Sequence, residues 1–302
     1  MSDQENDNLV ESNDTVTTTT ISHHTMLDLL RATLLVYNYG KNFKVQNIDE
    51  TVEEFVSKLK EEHKLEKLEM DSVKKKVLVE ISENVPTGKL HKFINDTDTD
   101  IQVGIAISEG KKRITVVFRG SESMSDWYYD LMVFKHKLKD DVYVHSGFYK
   151  QLTSNSVYNE LVENINLILK DHPDFDIYVT GHSLGGALST LFGYMLANSV
   201  ENNVNVVSFA SPRVGNYAWK KSFEEKTNLI HYRITNKRDI VTAFPIYKYY
   251  HVGINIQLSD EKCKIYKDNS EKSWYAETFF TCWSASEHNC ELYYTRMNDN
   301  TW

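Results

Sequence analysis

Residues 175–199 read FDIYVTGHSLGGALSTLFGYMLANS, and the rest of the chain is arranged around them. Phe175 to Thr180 is a run of β-branched and aromatic residues entered from Asp171-His172-Pro173-Asp174, the pattern of a short buried strand. Gly181 to Gly186 is a tight turn. From Ala187 a helical pattern begins, with Leu188, Leu191, Phe192 and Leu196 on one face. Strand, turn and helix with G-x-S-x-G at the bend is the setting of a nucleophile elbow, which projects a serine from a strained backbone above a sheet. Gly181 and Gly185 let strand and helix pass close beside that serine, Ser183. By composition alone such a five-residue pattern arises in roughly one chain in ten of this length. The flanking strand and helix are what give it weight.

The 302 residues suffice for one large α/β domain with a sizeable core, and 41% apolar and 12% aromatic residues are those of a globular protein. A net charge of −9 argues against nucleic acid or an anionic membrane as an electrostatic partner, and leaves neutral lipid or ester substrates open. Residues 1–21 are polar, acidic and threonine-rich and read as a disordered tail. They lack the apolar stretch of a signal peptide, and the longest apolar run, Met26 to Tyr37, is too short and too interrupted to span a bilayer. With three cysteines (Cys263, Cys282, Cys290) and no leader, reduced thiols and a cytoplasmic location are expected. The oligomeric state is left open.

Taken in order, a buried helix is expected from near Thr25, with Asp28 completing a capping box and Gly40 ending it. Residues 50–70 read as a surface helix. Ile101 to Ile107 and Arg113 to Phe118 form a hairpin across Glu109-Gly110-Lys111. Met124, Trp127, Tyr128 and Leu131 fall at i, i+3, i+4 and i+7, a short amphipathic helix. A helix is expected over roughly 148–170, then strands at Val204 to Phe209, Leu229 to Ile234 and Tyr249 to Leu258, and an irregular C-terminal forty residues. With no repeat or internal linker, 22–302 is one domain: a mostly parallel sheet with helices on both faces.

A serine hydroxyl needs a base, and the base a carboxylate to orient it. Beyond an elbow of this kind the chain order is serine, acid, histidine. Asp239 is the best-placed acid, just past a strand end, where open α/β sheets carry their sites. Two histidines follow. His251 falls within the expected strand from Tyr249; His288 sits in an irregular segment able to reach over the strand ends and is the better candidate.

The chain resembles the class 3 lipase family, fungal triacylglycerol lipases and their relatives. The resemblance rests on Phe118-Arg119-Gly120-Ser121, Val144 to Phe148, Gly181 to Gly186, Ser211 to Asn216 and Lys237 to Val241, in the family's order between about 100 and 252. It implies an α/β-hydrolase fold and a carboxylic ester hydrolase acting on acylglycerols at a lipid–water interface, without metal or cofactor. It further implies Ser183 as nucleophile, Asp239 as acid, His288 as base, and an oxyanion hole from Ser121 and the backbone N–H of Leu184. A mobile lid over Met124 to Leu131 is also implied, and the amphipathic spacing there suits one. The rival expectations are a phospholipase A1 or feruloyl-type esterase on the same scaffold, and a catalytically retired fold that only binds. Residues 1–95 resemble nothing specific, and the paired cysteines common in the fungal members are absent.

Overall fold

Strict alternation along the central strands decides how the layers form. In β6 (Asp176–His182), Ile177 and Val179 point to one face and Tyr178 to the other. In β7 (Val204–Phe209), Val204 and Val206 join the first face, Val207 and Phe209 the second. A strand apolar on both faces must be covered on both, so the sheet carries two cores. The computed structural model describes residues 21–42, 51, 54, 57–58, 79–80, 88–121, 134–260, 263–266 and 283–300.

The eight-stranded sheet has the order β1-β2-β3-β6-β7-β8-β9-β10. Besides β6 and β7 it comprises β1 (Lys89–Asp96), β2 (Ile101–Ser108), β3 (Arg113–Phe118), β8 (Leu229–Asn236), β9 (Ile254–Leu258) and β10 (Lys264–Tyr266). Strands β3, β6, β7, β8 and β9 run parallel; β1 and β2 at one edge and β10 at the other are antiparallel. The hairpin β4 (Lys135–Lys139) and β5 (Val142–His145) stands apart as a second sheet. On one face lie α2 (Ser146–Thr153), α3 (Val157–Asp171), α4 (Leu184–Leu196) and α5 (Tyr217–Glu224). On the other, α1 (His23–Asn42) packs beside α6 (Cys290–Asp299). This is the α/β-hydrolase architecture the sequence leads one to expect.

Several boundaries differ from expectation. Ser22, not Thr25, caps α1: its hydroxyl accepts from the Thr25 amide at 3.2 Å. Asp28 makes no capping box; it is buried against Arg31 at 3.2 Å and Lys111 at 2.5 Å. The helix passes through Gly40 to Asn42, and Ile21, assigned to the tail, is buried in the core. Residues 1–20 and nearly all of 50–70 lie outside the described residues. The helix expected over 148–170 is two, broken where Asn155 and Ser156 turn left-handed at φ 50° and 64°. Strand β9 starts at Ile254, not Tyr249, behind Gly253 at φ +74°, where a Cβ would lie 2.3 Å from the His231 carbonyl oxygen. The C-terminal forty are not wholly irregular, since Asn289 caps α6 by accepting from the Leu292 amide at 3.0 Å. Strand β1, with an indistinct apolar pattern, is absent from the sequence reading.

Three histidines are held in this framework as neutral rings, His182 and His231 buried and His251 half-buried. Burial, with the Arg233 guanidinium adding to it, pushes His231 down to about 3, and its Nε2 meets the Ser208 hydroxyl at 2.8 Å. Burial lowers His251 and His182 well below the ordinary value too. Between the unfolded value near 6.5 and the depressed folded values, the unfolded chain binds protons that the folded chain refuses, so stability falls as pH falls. Each such histidine costs on the order of 1 kcal/mol per pH unit in that window. The urea midpoint should therefore drop steadily from pH 7 to pH 5, above the carboxylate range, and His231→Gln should flatten part of that slope. A midpoint independent of pH would show that these rings are not held neutral.

Candidate active site

The elbow is set by what cannot be there. A Cβ on Gly181 would lie 2.4 Å from the Gly185 backbone and 2.7 Å from the Phe118 carbonyl oxygen; one on Gly185 would lie 2.4 Å from the same oxygen. Only glycine lets β6 and α4 close this tightly on β3. Ser183 at the bend holds φ 59° and ψ −124°, a conformation that costs a non-glycine residue on the order of 1–3 kcal/mol. It is tied down by its own N–H to the Phe209 carbonyl at 2.9 Å and by the Ala187 N–H to its carbonyl at 3.1 Å.

Parallel pairing of β3 with β6 sets Phe118 opposite Gly181. Two residues on, a Cβ on Gly120 would lie 2.5 Å from the His182 carbonyl oxygen, so the segment leading into Ser121 packs on the elbow, whose helix α4 has Leu184 as its first residue. As first residue, Leu184 has an N–H without an intrahelical partner. Ser121 is half-buried and Leu184 buried. The helix expected at Met124, Trp127, Tyr128 and Leu131 lies outside the described residues.

Asp239 follows β8 by three residues and is fully buried. Its carboxylate accepts from the Val241 N–H at 2.9 Å, from the Tyr293 hydroxyl at 2.7 Å, and from His288 Nδ1 at 2.9 and 3.0 Å. A carboxylate only accepts, so Nδ1 donates and the lone pair of the neutral ring is on Nε2. That nitrogen is buried and has no hydrogen-bond partner among the described residues. His251 is elsewhere. It lies outside β9, and its Nε2 donates to the Thr242 carbonyl at 2.8 Å, which removes it from contention for a different reason than the one the sequence suggested.

The segment carrying His288 is anchored to the strand that delivers Asp239. Ser284 N–H donates to the Arg238 carbonyl at 2.9 Å, and the Asn236 side-chain amide to the Glu287 carbonyl at 2.8 Å. Glu287 is itself gripped by Arg238 at 3.2 Å and by Arg296 of α6. A link from the elbow closes the circuit. His182 Nε2 donates to the His288 carbonyl at 2.9 Å, and the two rings lie 4.7 Å apart, so His288 stands next to the turn that bears Ser183. With Nε2 donating, His182 Nδ1 accepts, at 3.2 Å, from the Tyr37 hydroxyl. Burial, then the neighbouring His288, holds His182 neutral, and burial likewise keeps Tyr37 protonated.

Of the residues the sequence singles out, Asp239 and His288 are in contact and His288 lies beside the turn that bears Ser183; Tyr37, His182 and Tyr293 join them without having been singled out for the site. Tyr293 could have been found: Asn289 as cap with Tyr293, Tyr294 and Met297 behind it is a helical stripe. Tyr37 has no local signal, because its contact spans 145 positions.

Residues 115–249 match the family model for lipase (class 3). Over those residues, somewhat less than half of its length, the chain is similar to the class 3 lipase family. A lipase of Rhizomucor miehei is 31% identical over 169 residues, covering 53% of this chain and 46% of its own. A secreted mono- and diacylglycerol lipase A of Penicillium cyclopium is 29% identical over 168 residues, covering 54% of this chain and 53% of its own. The chain thus spans about half the length of the curated relatives it matches. Among solved structures, a triacylglycerol lipase whose catalytic centre is a serine protease triad superposes with a TM-score of 0.61 at 27% identity, over 67% of this chain and 79% of that one. The match begins in β3 and ends before β9, so His288 lies outside it, and the geometry above carries that residue alone.

Tyr293 both donates to Asp239 and accepts from the Asn236 N–H at 2.8 Å. Tyr293→Phe leaves a buried amide without an acceptor and the carboxylate one donor short, which should cost about 1–3 kcal/mol of stability. Equilibrium unfolding in urea measures it; an unchanged midpoint would show that this hydroxyl does not support the site.

Proposed function

We propose that this chain is a class 3 lipase that hydrolyses carboxylic esters, acylglycerols foremost, through an acyl-enzyme on Ser183. The observation that carries the reading is the lone pair on His288 Nε2, fixed there by the Asp239 carboxylate and placed beside an elbow that presents a strained serine. The names of the relatives, a lipase and a mono- and diacylglycerol lipase, favour acylglycerols as the substrate class.

Ser183 Oγ adds to the ester carbonyl carbon while His288 Nε2 takes its proton. Asp239 stabilises the resulting imidazolium through Nδ1. The carbonyl oxygen, now an anion, takes hydrogen bonds from the Leu184 N–H and the Ser121 hydroxyl, which strengthen as charge develops. The tetrahedral intermediate collapses, the C–O bond to the alcohol breaks, and His288 returns its proton to the departing alkoxide. Water then adds to the acyl-enzyme with His288 again as base, the fatty acid leaves, and Ser183 recovers its proton.

Ser183→Ala and His288→Ala should each lower kcat by on the order of 10⁶, and Asp239→Asn by about 10⁴. The double variant at 183 and 288 should be little worse than either single one, since the two residues act as a unit. Ser121→Ala should reduce kcat roughly 10²-fold with KM hardly changed, and Ser121→Thr should keep most activity. A panel of triacylglycerol, phospholipid and soluble short-chain esters reads the rates. Phospholipid hydrolysis exceeding that of triacylglycerol would move the assignment to a phospholipase A1. Failure of Ser183 to label with a fluorophosphonate would leave only a binding protein.

A further inference from the structure

Two stretches that leave the site meet on the surface. Phe134 and Lys135 open β4, downstream of Ser121; Ile246 to Lys248 follow Asp239 by seven to nine residues. They are fastened together: Lys135 Nζ donates to the Lys248 carbonyl at 3.1 Å, and the Tyr249 hydroxyl donates to the Phe134 carbonyl at 3.3 Å. Side by side, they show water more apolar surface than any comparable stretch described. Phe134 is 70% exposed, Tyr247 65% and Ile246 37%.

The charge beside them is equally unusual. Lys135 Nζ sits 4.8 Å over the Tyr249 ring and Lys248 Nζ 5.1 Å over the Tyr247 ring. Neither lysine pairs with a carboxylate among the described residues, and Lys135 is held below its ordinary value by burial and by the charge of Lys248. Asp140 and Asp141, just past the far end of β4, follow Lys135 by about 17 and about 20 Å of extended chain at ~3.4 Å per residue. That exceeds the Debye length of about 8 Å at physiological salt. Lys248 holds φ 56°, a left-handed turn that a lysine enters only under constraint. In a chain of net charge −9, two ammonium groups without a carboxylate partner among the described residues stand among three exposed apolar side chains.

We propose that Phe134, Ile246 and Tyr247, flanked by Lys135 and Lys248, dock this protein on a lipid surface bearing anionic headgroups. The apolar side chains enter the headgroup boundary, where aromatic rings with a polar tip are favoured, and the lysines meet the phosphates or carboxylates there. The overall negative charge does not oppose this at contact, because charges farther than a Debye length from the surface are screened. The inference rests on the ester-hydrolase reading for its purpose but not for its measurement.

The test is sedimentation of full-length Ser183→Ala protein with sucrose-loaded vesicles of phosphatidylcholine alone or of 3:1 phosphatidylcholine and phosphatidylserine. The Ser183→Ala protein should partition strongly onto the anionic vesicles, hardly onto the neutral ones, and be released by raising salt from 0.05 to 0.5 M. At about fivefold per lysine, Lys135→Glu/Lys248→Glu in that background should lower the partition coefficient at least 25-fold. Phe134→Asp/Tyr247→Asp should lower it similarly, while Lys170→Glu/Lys264→Glu, the same charge change on exposed lysines elsewhere, should leave it within twofold. Equal binding to both vesicles, no binding to either, or equal loss in the Lys170/Lys264 control would overturn the proposal. So would a dimer in light scattering that Phe134→Asp/Tyr247→Asp dissolves. The vesicle and salt comparisons need none of the surface variants, so a variant that fails to fold leaves them decisive. A chain inactive on every ester that still binds anionic vesicles would sink the enzymatic reading and keep this one.

Discussion

The contact on which the rest depends is that of two glycines with one carbonyl oxygen. Gly181 and Gly185 both press on the Phe118 oxygen at distances that exclude any side chain. This packing holds the end of β3 against the elbow and sets the relation between Ser121, Ser183 and Leu184. Neither β3 nor α4 can move outward alone, since each is part of a core packed on the same sheet face. Backbone on backbone is less compliant than a side-chain contact, because no rotamer exists to absorb a displacement. A strained serine persists only where its surroundings over-determine it, and these do.

The proposed base is held differently. His288 belongs to a short helical turn, and no sheet ladder fixes it. Its backbone is instead bound from both sides: the elbow's His182 takes its carbonyl, and β8 takes the residue before it through Asn236. Glu287, buried between Arg238 and Arg296, couples that turn to α6. Breaking one arm of such a buried network leaves a charge uncompensated, which is costly. The imidazole is thereby aimed by anchoring the chain on either side of it, while its Nε2 stays free for chemistry.

What was legible in the sequence was whatever repeats at short range. Strand alternation, the strand–turn–helix of the elbow and the position of Asp239 past a strand end all depend on residues within a dozen positions. From these the sheet, its covered faces and two of the three principal site residues could be read. His288 was legible only through chain order, since nothing near it marks a catalytic turn. Tyr37 and His182 act through a contact between helix and strand far apart in sequence, and Tyr293 through a helix whose cap went unread. The basic and apolar residues at 134–135 and 246–248 were invisible as a patch because they adjoin only once the two stretches are folded together. Net charge, a sum over the chain, carries no information on where individual charges lie.

Every ester cleaved in a lipid surface leaves a carboxylate behind. If Lys135 and Lys248 face that surface as proposed, product would also be ligand. Turnover on an initially neutral droplet would begin slowly, raise the negative charge density beneath the protein, and so recruit more of it. Such a reaction is autocatalytic in time without any change in the rate constant of the chemistry. It is extinguished when the acid is neutralised by protonation or carried off by an acceptor. Two lysines at the edge of an aromatic patch would thereby make the history of the interface, and not only its present composition, a determinant of rate.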